Sequence, residues 1–307
     1  MSAVDVFEAS LEYPDPDARR RLALLTGIDE QRERLEKGLL LTIDRSAIER
    51  WSKDRHGARL PLVAYFLARP PLFMLAGDVG TGKTALAETI GDAVARRSSL
   101  PVTLHRMSLG SRGSGLVGEM TGLVTRAFAQ VVEVARKAVD RNGRPRAGHI
   151  LLIDEADALA QSRGTDQMHH EDRAGVNALI RGINLLAEAK LPAAVLMCTN
   201  RVDAIDPAVR RRAAEVLEFG RPGGDRRRDV LVAGLEGVGF DDGQIERLVE
   251  ATGPREGRPG FTYSDLTQRL LPGFALDAFP DSRIAFDRAL ERALSTVPTP
   301  EFRENGA

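Results

Sequence analysis

Leu72-Phe73-Met74-Leu75-Ala76-Gly77-Asp78-Val79-Gly80-Thr81-Gly82-Lys83-Thr84 runs from five apolar residues into a glycine-rich loop that ends in Lys-Thr. The apolar run has the length of a buried strand, and Leu86, Ile90, Ala93 and Val94 follow it at helical spacing. Strand, loop and helix in that order are the setting a phosphate-binding loop requires. The glycines let successive N–H groups curl round an anionic phosphate, and the helix adds its positive N-terminal end. Lys83 then reaches the β- and γ-phosphates and Thr84 ligates Mg²⁺, while Asp78, Val79 and Thr81 complete the cradle. Lysine occurs at only five positions, 37, 53, 83, 137 and 190, so a chance match is rare.

Outward from this loop, strand and helix patterns alternate. A short strand at Val102 to Leu104 precedes a helix carrying Val124, Ala127, Phe128, Val131 and Ala135. The run His149 to Ile153 precedes a helix with Val176, Leu179, Ile180, Ile183 and Leu186, and strands follow at Ala193 to Thr199 and Val216 to Phe219. Strict alternation predicts a parallel sheet covered on both faces, here of five strands. Upstream, Ile28, Leu35, Leu39, Ile43 and Ile48 predict two short helices leading into this core. Beyond a hinge at Gly220 to Gly224 only amphipathic patterns remain, at Val230 to Leu235, Ile245 to Val249, Leu266 to Leu271 and Ile284 to Leu294. The expected organisation is an N-terminal arm (1–26), an α/β nucleotide-binding domain (27–221), a small helical lid (222–296) and a flexible, frayed tail (297–307).

Two further sites lie where strands end. Ile150-Leu151-Leu152-Ile153-Asp154-Glu155-Ala156-Asp157 is a buried strand ending in carboxylates, and Asp154 follows Thr84 by 70 residues. Asp154 holds Mg²⁺, partly through water, and Glu155 polarises the attacking water. Cys198-Thr199-Asn200 ends the next strand, where Asn200 either simply begins the turn into Arg201 and Val202 or, as ligands gather at the carboxyl ends of parallel strands, reaches the γ-phosphate or that water. Asp206-Pro207-Ala208-Val209-Arg210-Arg211-Arg212 then places three arginines after a short helix. They are either a solvated basic turn or arginine fingers for a neighbouring subunit's nucleotide, with Arg211 and Arg212 the catalytic candidates; spacing alone does not separate the three.

Composition narrows the function classes. The 307 residues hold 43 Lys+Arg against 44 Asp+Glu, a formal net charge of −1, so there is no whole-protein field for nucleic acid or an anionic membrane. The single cysteine, Cys198, sits in an apolar run as a small hydrophobe, which fits a reducing cytoplasm. The acidic start, Met1 to Asp17, is no signal peptide, and the most apolar stretch, Leu60 to Ala76, is too short and too broken by prolines to span a bilayer.

The order phosphate loop, Asp154-Glu155, Asn200, arginine cluster and helical lid resembles the AAA+ ATPases from about Thr26 to Leu294. The resemblance implies ATP and Mg²⁺ as cofactors, a P-loop AAA+ core, and a homo-oligomeric ring, usually a hexamer, with nucleotide between subunits. It places Ile28, within Gly27-Ile28-Asp29, beside the adenine, and makes Arg269 the nearest candidate for a lid arginine facing the phosphates. In Ser108 to Glu119 it implies a pore loop in which Leu116 and Val117 grip the substrate, Leu116 standing where threading members carry an aromatic. A second pore loop falls between Ser162 and Asp172, where His169 and His170, with no third metal ligand in reach by sequence, are expected to be an ordinary exposed pair rather than a metal site.

Gly118-Glu119 with Leu123-Val124-Thr125-Arg126-Ala127-Phe128, Val176-Asn177-Ala178-Leu179 and Ile205 to Arg212 is most similar to the pachytene-checkpoint clade, the HORMA-remodelling AAA+ ATPases. Ser264 stands where that clade often has its lid arginine. This implies a remodeler that opens or disassembles a HORMA-domain signalling protein by engaging its N-terminal segment in the pore, in bacterial anti-phage defence. The arm at Met1 to Thr26 is too short for the folded recruiting domain of eukaryotic members. Two other AAA+ readings remain open: a DNA loader or initiator, against which the charge balance stands, and a regulatory ATPase for a protease or metalloenzyme.

Overall fold

A computed structural model describes residues 6–108, 119–159, 168–255 and 257–301. Its strands are β1 (Ala9–Tyr13), β2 (Leu72–Gly77), β3 (Val102–Ser108), β4 (Gly148–Asp154), β5 (Ala193–Thr199) and β6 (Ala213–Phe219). Four helices precede β2: α1 (Pro16–Ala23), α2 (Asp29–Ile43), α3 (Ser46–His56) and α4 (Leu62–Leu67). Among the strands lie α5 (Lys83–Ser98), α6 (Glu119–Lys137), α7 (Met168–Ala189) and the single turn α8 (Pro207–Arg210). After β6 come α9 (Gly224–Gly234), α10 (Asp242–Ala251), α11 (Leu271–Ala278) and α12 (Phe286–Ser295). Among the described residues no helix is long and apolar enough to cross a membrane.

The sheet has the order β1-β3-β4-β5-β2-β6. The pairs β3–β4, β4–β5 and β5–β2 are parallel, as the alternation predicts. The register sets Ser108 beside Asp154, Ile153 beside Met197 and Ala76 beside Thr199, so the carboxyl ends of β2, β4 and β5 line up. The five expected strands are present, and β1 is a sixth, antiparallel to β3, formed by the segment expected to be an arm. Its five residues alternate between half-buried and exposed up to the buried Tyr13, too short a pattern to stand out in the sequence. Tyr13 Oη donates to the carbonyl of Glu88 in α5, which fastens the strand's end.

The chain divides into two compact units. One comprises residues 1–23, 30–76 and 84–218; the other comprises 24–29, 77–83 and 219–307. This differs from the expected division at 221/222, because the phosphate-loop segment groups with the C-terminal helices.

In the first unit every residue of β4 and β5 is buried, which explains their continuous apolar text. Val124, Phe128 and Val131 of α6 and Leu179, Ile183 and Leu186 of α7 join the same core, each burial of a side chain this size stabilising by about 1.5–3 kcal/mol. On the adjacent strands β3 and β4, His105 Nε2 lies 3.3 Å from His149 Nδ1, with the Phe7 ring against the His105 ring and Ser10 Oγ 3.5 Å from its Nδ1. Burial holds both imidazoles below their ordinary range, His105 at about 4. β3 extends four residues beyond the expected Leu104 because polar His105 and Arg106 belong to it.

In the second unit Leu231, Leu248, Phe261, Leu266, Leu270 and Phe274 form a separate helical core. A capping box between Asp241 and Gln244 starts α10. The expected helix at Leu266 to Leu271 begins as a π-helical turn, Asp265–Leu270, and continues as α11. The tail expected to fray is tied down as far as it is described: Asp265, fully buried, accepts from both the amide and the hydroxyl of Thr299 at 3.0 and 2.7 Å. A buried carboxylate requires donors, and these two come from the tail.

Candidate nucleotide site

The phosphate loop belongs to the second unit. Gly77, Gly80 and Gly82 have φ of 151°, 74° and 96°, a region side chains rarely adopt. At Gly77 a Cβ would stand 1.9 Å from the carbonyl oxygen of Phe219, and at Gly80 one would stand 2.7 Å from Thr262 Oγ1, so neither position accepts a side chain. Lys83 is 6% exposed and donates to the carbonyls of Gly77 and Asp78 at 2.9 and 2.7 Å. Thr81 Oγ1 also donates to the Asp78 carbonyl, and Val79 N–H donates to the Asp78 carboxylate. A buried ammonium on a loop that opens a 16-residue helix, whose first N–H groups lack intrahelical partners, fits a polyphosphate.

One contact from the C-terminal helices and one residue from the segment before α2 lie at this loop. Ser264 N–H donates to the carbonyl of Gly80 at 3.0 Å, so Ser264 does stand beside the phosphate loop. Ile28, buried, brings its Cδ1 to 3.9 Å from a Cβ placed on Gly82, and the Gly27 carbonyl accepts from Tyr263 Oη at 3.1 Å. Ile28 is therefore near Gly82 of the loop. Arg269, the candidate lid arginine, has its Nη1 on Asp265 Oδ1 at 2.8 Å, on the buried carboxylate one helical turn back. The arginine that reaches the loop is Arg221, whose Nε donates to Asp78 Oδ2 at 2.7 Å. Arg221 lies within the expected hinge, and an isolated arginine between Gly220 and Pro222 carries no periodic signal.

In the first unit Thr84 Oγ1 donates to Asp154 Oδ1 at 3.2 Å, and Glu155 N–H donates to the same oxygen at 3.0 Å. A hydroxyl and a carboxylate facing each other are hard oxygen donors that suit Mg²⁺, which takes few protein ligands and keeps water and phosphate oxygens. Among the described residues no group of three or more His, Cys, Asp or Glu side chains could hold a metal by themselves. Glu155 is exposed and has φ 53°, an uncommon backbone for a non-glycine residue, directly after the strand ends.

Asp157 lies three residues beyond Asp154, at the end of this motif. It is buried and accepts from Asn200 N–H at 3.0 Å, so the end of β4 sets the position of Asn200. Arg106 was missed because its strand was expected to stop at Leu104. Its Nη2 lies 3.6 Å from Asp154 Oδ2, and the same guanidinium meets Glu88 and Glu8.

The arginine turn is built by Asp206, which caps α8 through Ala208 N–H at 2.7 Å, with Pro207 at the first helical position. Within it, Arg212 donates to Asn184 Oδ1 and the Ala208 carbonyl at 3.0 and 2.9 Å, and Arg210 pairs with Asp203 at 3.3 Å. Arg211 is exposed, and its side chain makes no hydrogen bond or ion pair among the described residues. Leu116 and Val117 of the expected pore loop lie outside the described residues, as does most of the expected second pore loop.

Residues 73–221 match the family model of the ATPase family associated with various cellular activities (AAA). The chain is 52% identical over 299 residues to CD-NTase-associated protein 6 of Escherichia coli strain MS 115-1, covering 97% of this chain and 96% of that one. The protein of that name from E. coli strain KTE188 is 39% identical, covering 98% of each. Among solved structures, a chain of the E. coli MS115-1 HORMA:CdnC:Trip13 complex superposes with a TM-score of 0.88 at 51% identity, covering 97% of both chains. Rhizobiales Trip13 gives 0.77 at 48% identity, covering 95% of this chain and 99% of that one. The chain is a member of the AAA family of ATPases and, within it, of the pachytene-checkpoint clade that the Trip13 structures represent.

Proposed function

We propose that this chain is a Mg²⁺-dependent ATPase that remodels a HORMA-domain protein in bacterial anti-phage signalling, working in the cytoplasm as a homo-oligomeric ring, a hexamer by analogy with its family. The observation that carries the reading is likeness along nearly the whole chain to a protein solved in a HORMA:CdnC:Trip13 complex.

The residues support the chemistry as follows. Lys83 and the loop amides bind the phosphates of ATP, and Thr84 with Asp154 would hold Mg²⁺, which supplies charge neutralisation when bound. Glu155 polarises the attacking water, Asn200 orients it, and Arg211 stabilises the γ-phosphate charge on a neighbouring subunit's nucleotide. Loss of that phosphate releases the contacts that span two subunits, and Leu116 and Val117 transmit the change to the substrate's N-terminal segment. No specific observation favours DNA loading or service to a protease or metalloenzyme.

The test is a trap. Glu155→Gln keeps Asp154 but cannot polarise water, so it is expected to bind ATP while hydrolysis falls about 10²–10⁴-fold. Purified with ATP from its native host, it should retain a HORMA-fold protein. Recovery of DNA or a protease in its place would overturn the remodelling reading and leave the ATPase standing. Leu116→Ala with Val117→Ala should keep ATPase activity and lose remodelling; retained remodelling would contradict the pore role.

A further inference from the structure

The second unit contains a polar cluster that the nucleotide chemistry does not use, centred on Arg221. Its guanidinium is mostly buried and reaches three elements. Nε and Nη2 lie 2.7 and 2.6 Å from Asp78 Oδ2 in the phosphate loop. Nη1 donates to the carbonyl of Gly260, at the entry to the lid's π-helical turn, and to the carbonyl of Thr299 in the tail, at 2.7 and 2.8 Å. The other Asp78 oxygen accepts from Val79 N–H, so the carboxylate ties the fork of Arg221 to a loop amide. Thr299 is in turn fixed by its two bonds to Asp265, which also accepts from Thr262 N–H. Thr262 Oγ1 is the lid atom nearest a Cβ placed on Gly80. Loop, lid and tail thus close a circuit through Arg221 and Asp265.

We propose that Arg221 is a positioning residue for nucleotide binding, and that the C-terminal segment around Thr299 is a working part of the phosphate site that it holds in register. An isolated surface ion pair contributes little, but a buried charge-assisted fork onto a carboxylate and two carbonyls fixes geometry. A lysine at 221 keeps the charge and lacks the fork, so it is no substitute. The circuit works in both directions: whatever Thr299 does for nucleotide affinity, nucleotide does for the order of Thr299. The inference rests on the reading of residues 77–84 as a nucleotide-binding loop.

The experiment measures the affinity of the full-length protein for ADP, with Lys83→Ala as the control for the underlying reading. If wild type fails to bind ADP, the nucleotide reading itself falls. With binding established, Arg221→Ala and Arg221→Lys are expected to weaken it at least about tenfold, the scale of a lost charge-assisted hydrogen bond. Thr299→Pro removes both donors to Asp265 and should also weaken binding, whereas Thr299→Ser should restore it. Adding Thr299→Pro to Arg221→Ala should cost nothing further, because both break one circuit. In wild type, ADP should slow hydrogen exchange of the Thr299 amide, and in Arg221→Lys it should not. Unchanged affinity in Arg221→Lys and Thr299→Pro, or equal protection of Thr299 in both backgrounds, would overturn the proposal. If Arg221→Ala does not fold, the lysine and Thr299 variants decide.

Discussion

Arg211 and Arg221 stand ten positions apart and have opposite surroundings. Arg221 is mostly buried and divides its fork among a carboxylate and two carbonyls of its own chain. Arg211 is exposed, on a turn rigidified by the Asp206 cap, and makes no side-chain hydrogen bond or ion pair among the described residues. An arginine satisfied by its own chain acts on geometry within the subunit. One held out on a rigid turn is available to a second molecule. The sequence shows three adjacent arginines as equivalents; the structure separates them by what each already touches.

The largest effect should come from Arg211. Arg211→Ala is expected to lower kcat about 10³-fold, the scale of an arginine finger, with nucleotide affinity and melting temperature unchanged. If Arg212→Ala produces that loss and Arg211→Ala does not, the contrast between outward and inward arginines fails.

A buried polar pair should show the inward behaviour as a dependence on pH. The folded-state pKa of His105 is depressed from 6.5 to about 4, so the folded chain resists a proton that the unfolded chain accepts. Stability should be level above pH 6.5, fall between 6.5 and about 4, and level off below, the full loss being on the order of 3 kcal/mol. Urea titrations across that window, with His105→Phe as the flattened control, check the slope. An unchanged slope in the variant would locate the acid sensitivity elsewhere.

Smaller effects discriminate within the turn. Arg212→Ala strands the Asn184 side chain and the Ala208 carbonyl, and should cost about 1–2 kcal/mol in chemical unfolding with ATPase activity largely kept. Arg210→Ala removes only an exposed pair with Asp203 and should lie within about 0.5 kcal/mol of wild type.

The phosphate loop, the strand ending in Asp154 and the turn at Asn200 were legible in the sequence because each couples a chemical residue type to a strand end. Their flanks survive in the structure as β2, β4 and β5. What escaped depends on partners far apart in sequence. Arg221 has meaning only beside Asp78, 143 residues away, and Thr299 only beside Asp265. β1 and the polar half of β3 escaped for a different reason. Five residues of edge strand β1 are too few for alternation to show, and the polar His105 and Arg106 hide the second half of β3, so that with β3 cut short Arg106 lost its place near Asp154. Arg269 is the converse case: residue type and approximate position suggest a phosphate contact, while its side chain pairs with a carboxylate one turn away.

The most direct test of an outward Arg211 serving another subunit's nucleotide is a mixing experiment. Lys83→Ala destroys a subunit's own phosphate site but leaves its Arg211; Arg211→Ala does the reverse. Each variant alone should be inactive. In an equal mixture roughly a quarter of head-to-tail interfaces would pair an intact phosphate loop with an intact arginine, so ATPase activity should reappear at about that fraction of wild type. A mixture that stays as inactive as its components would contradict the assignment of Arg211 to a neighbouring subunit's site.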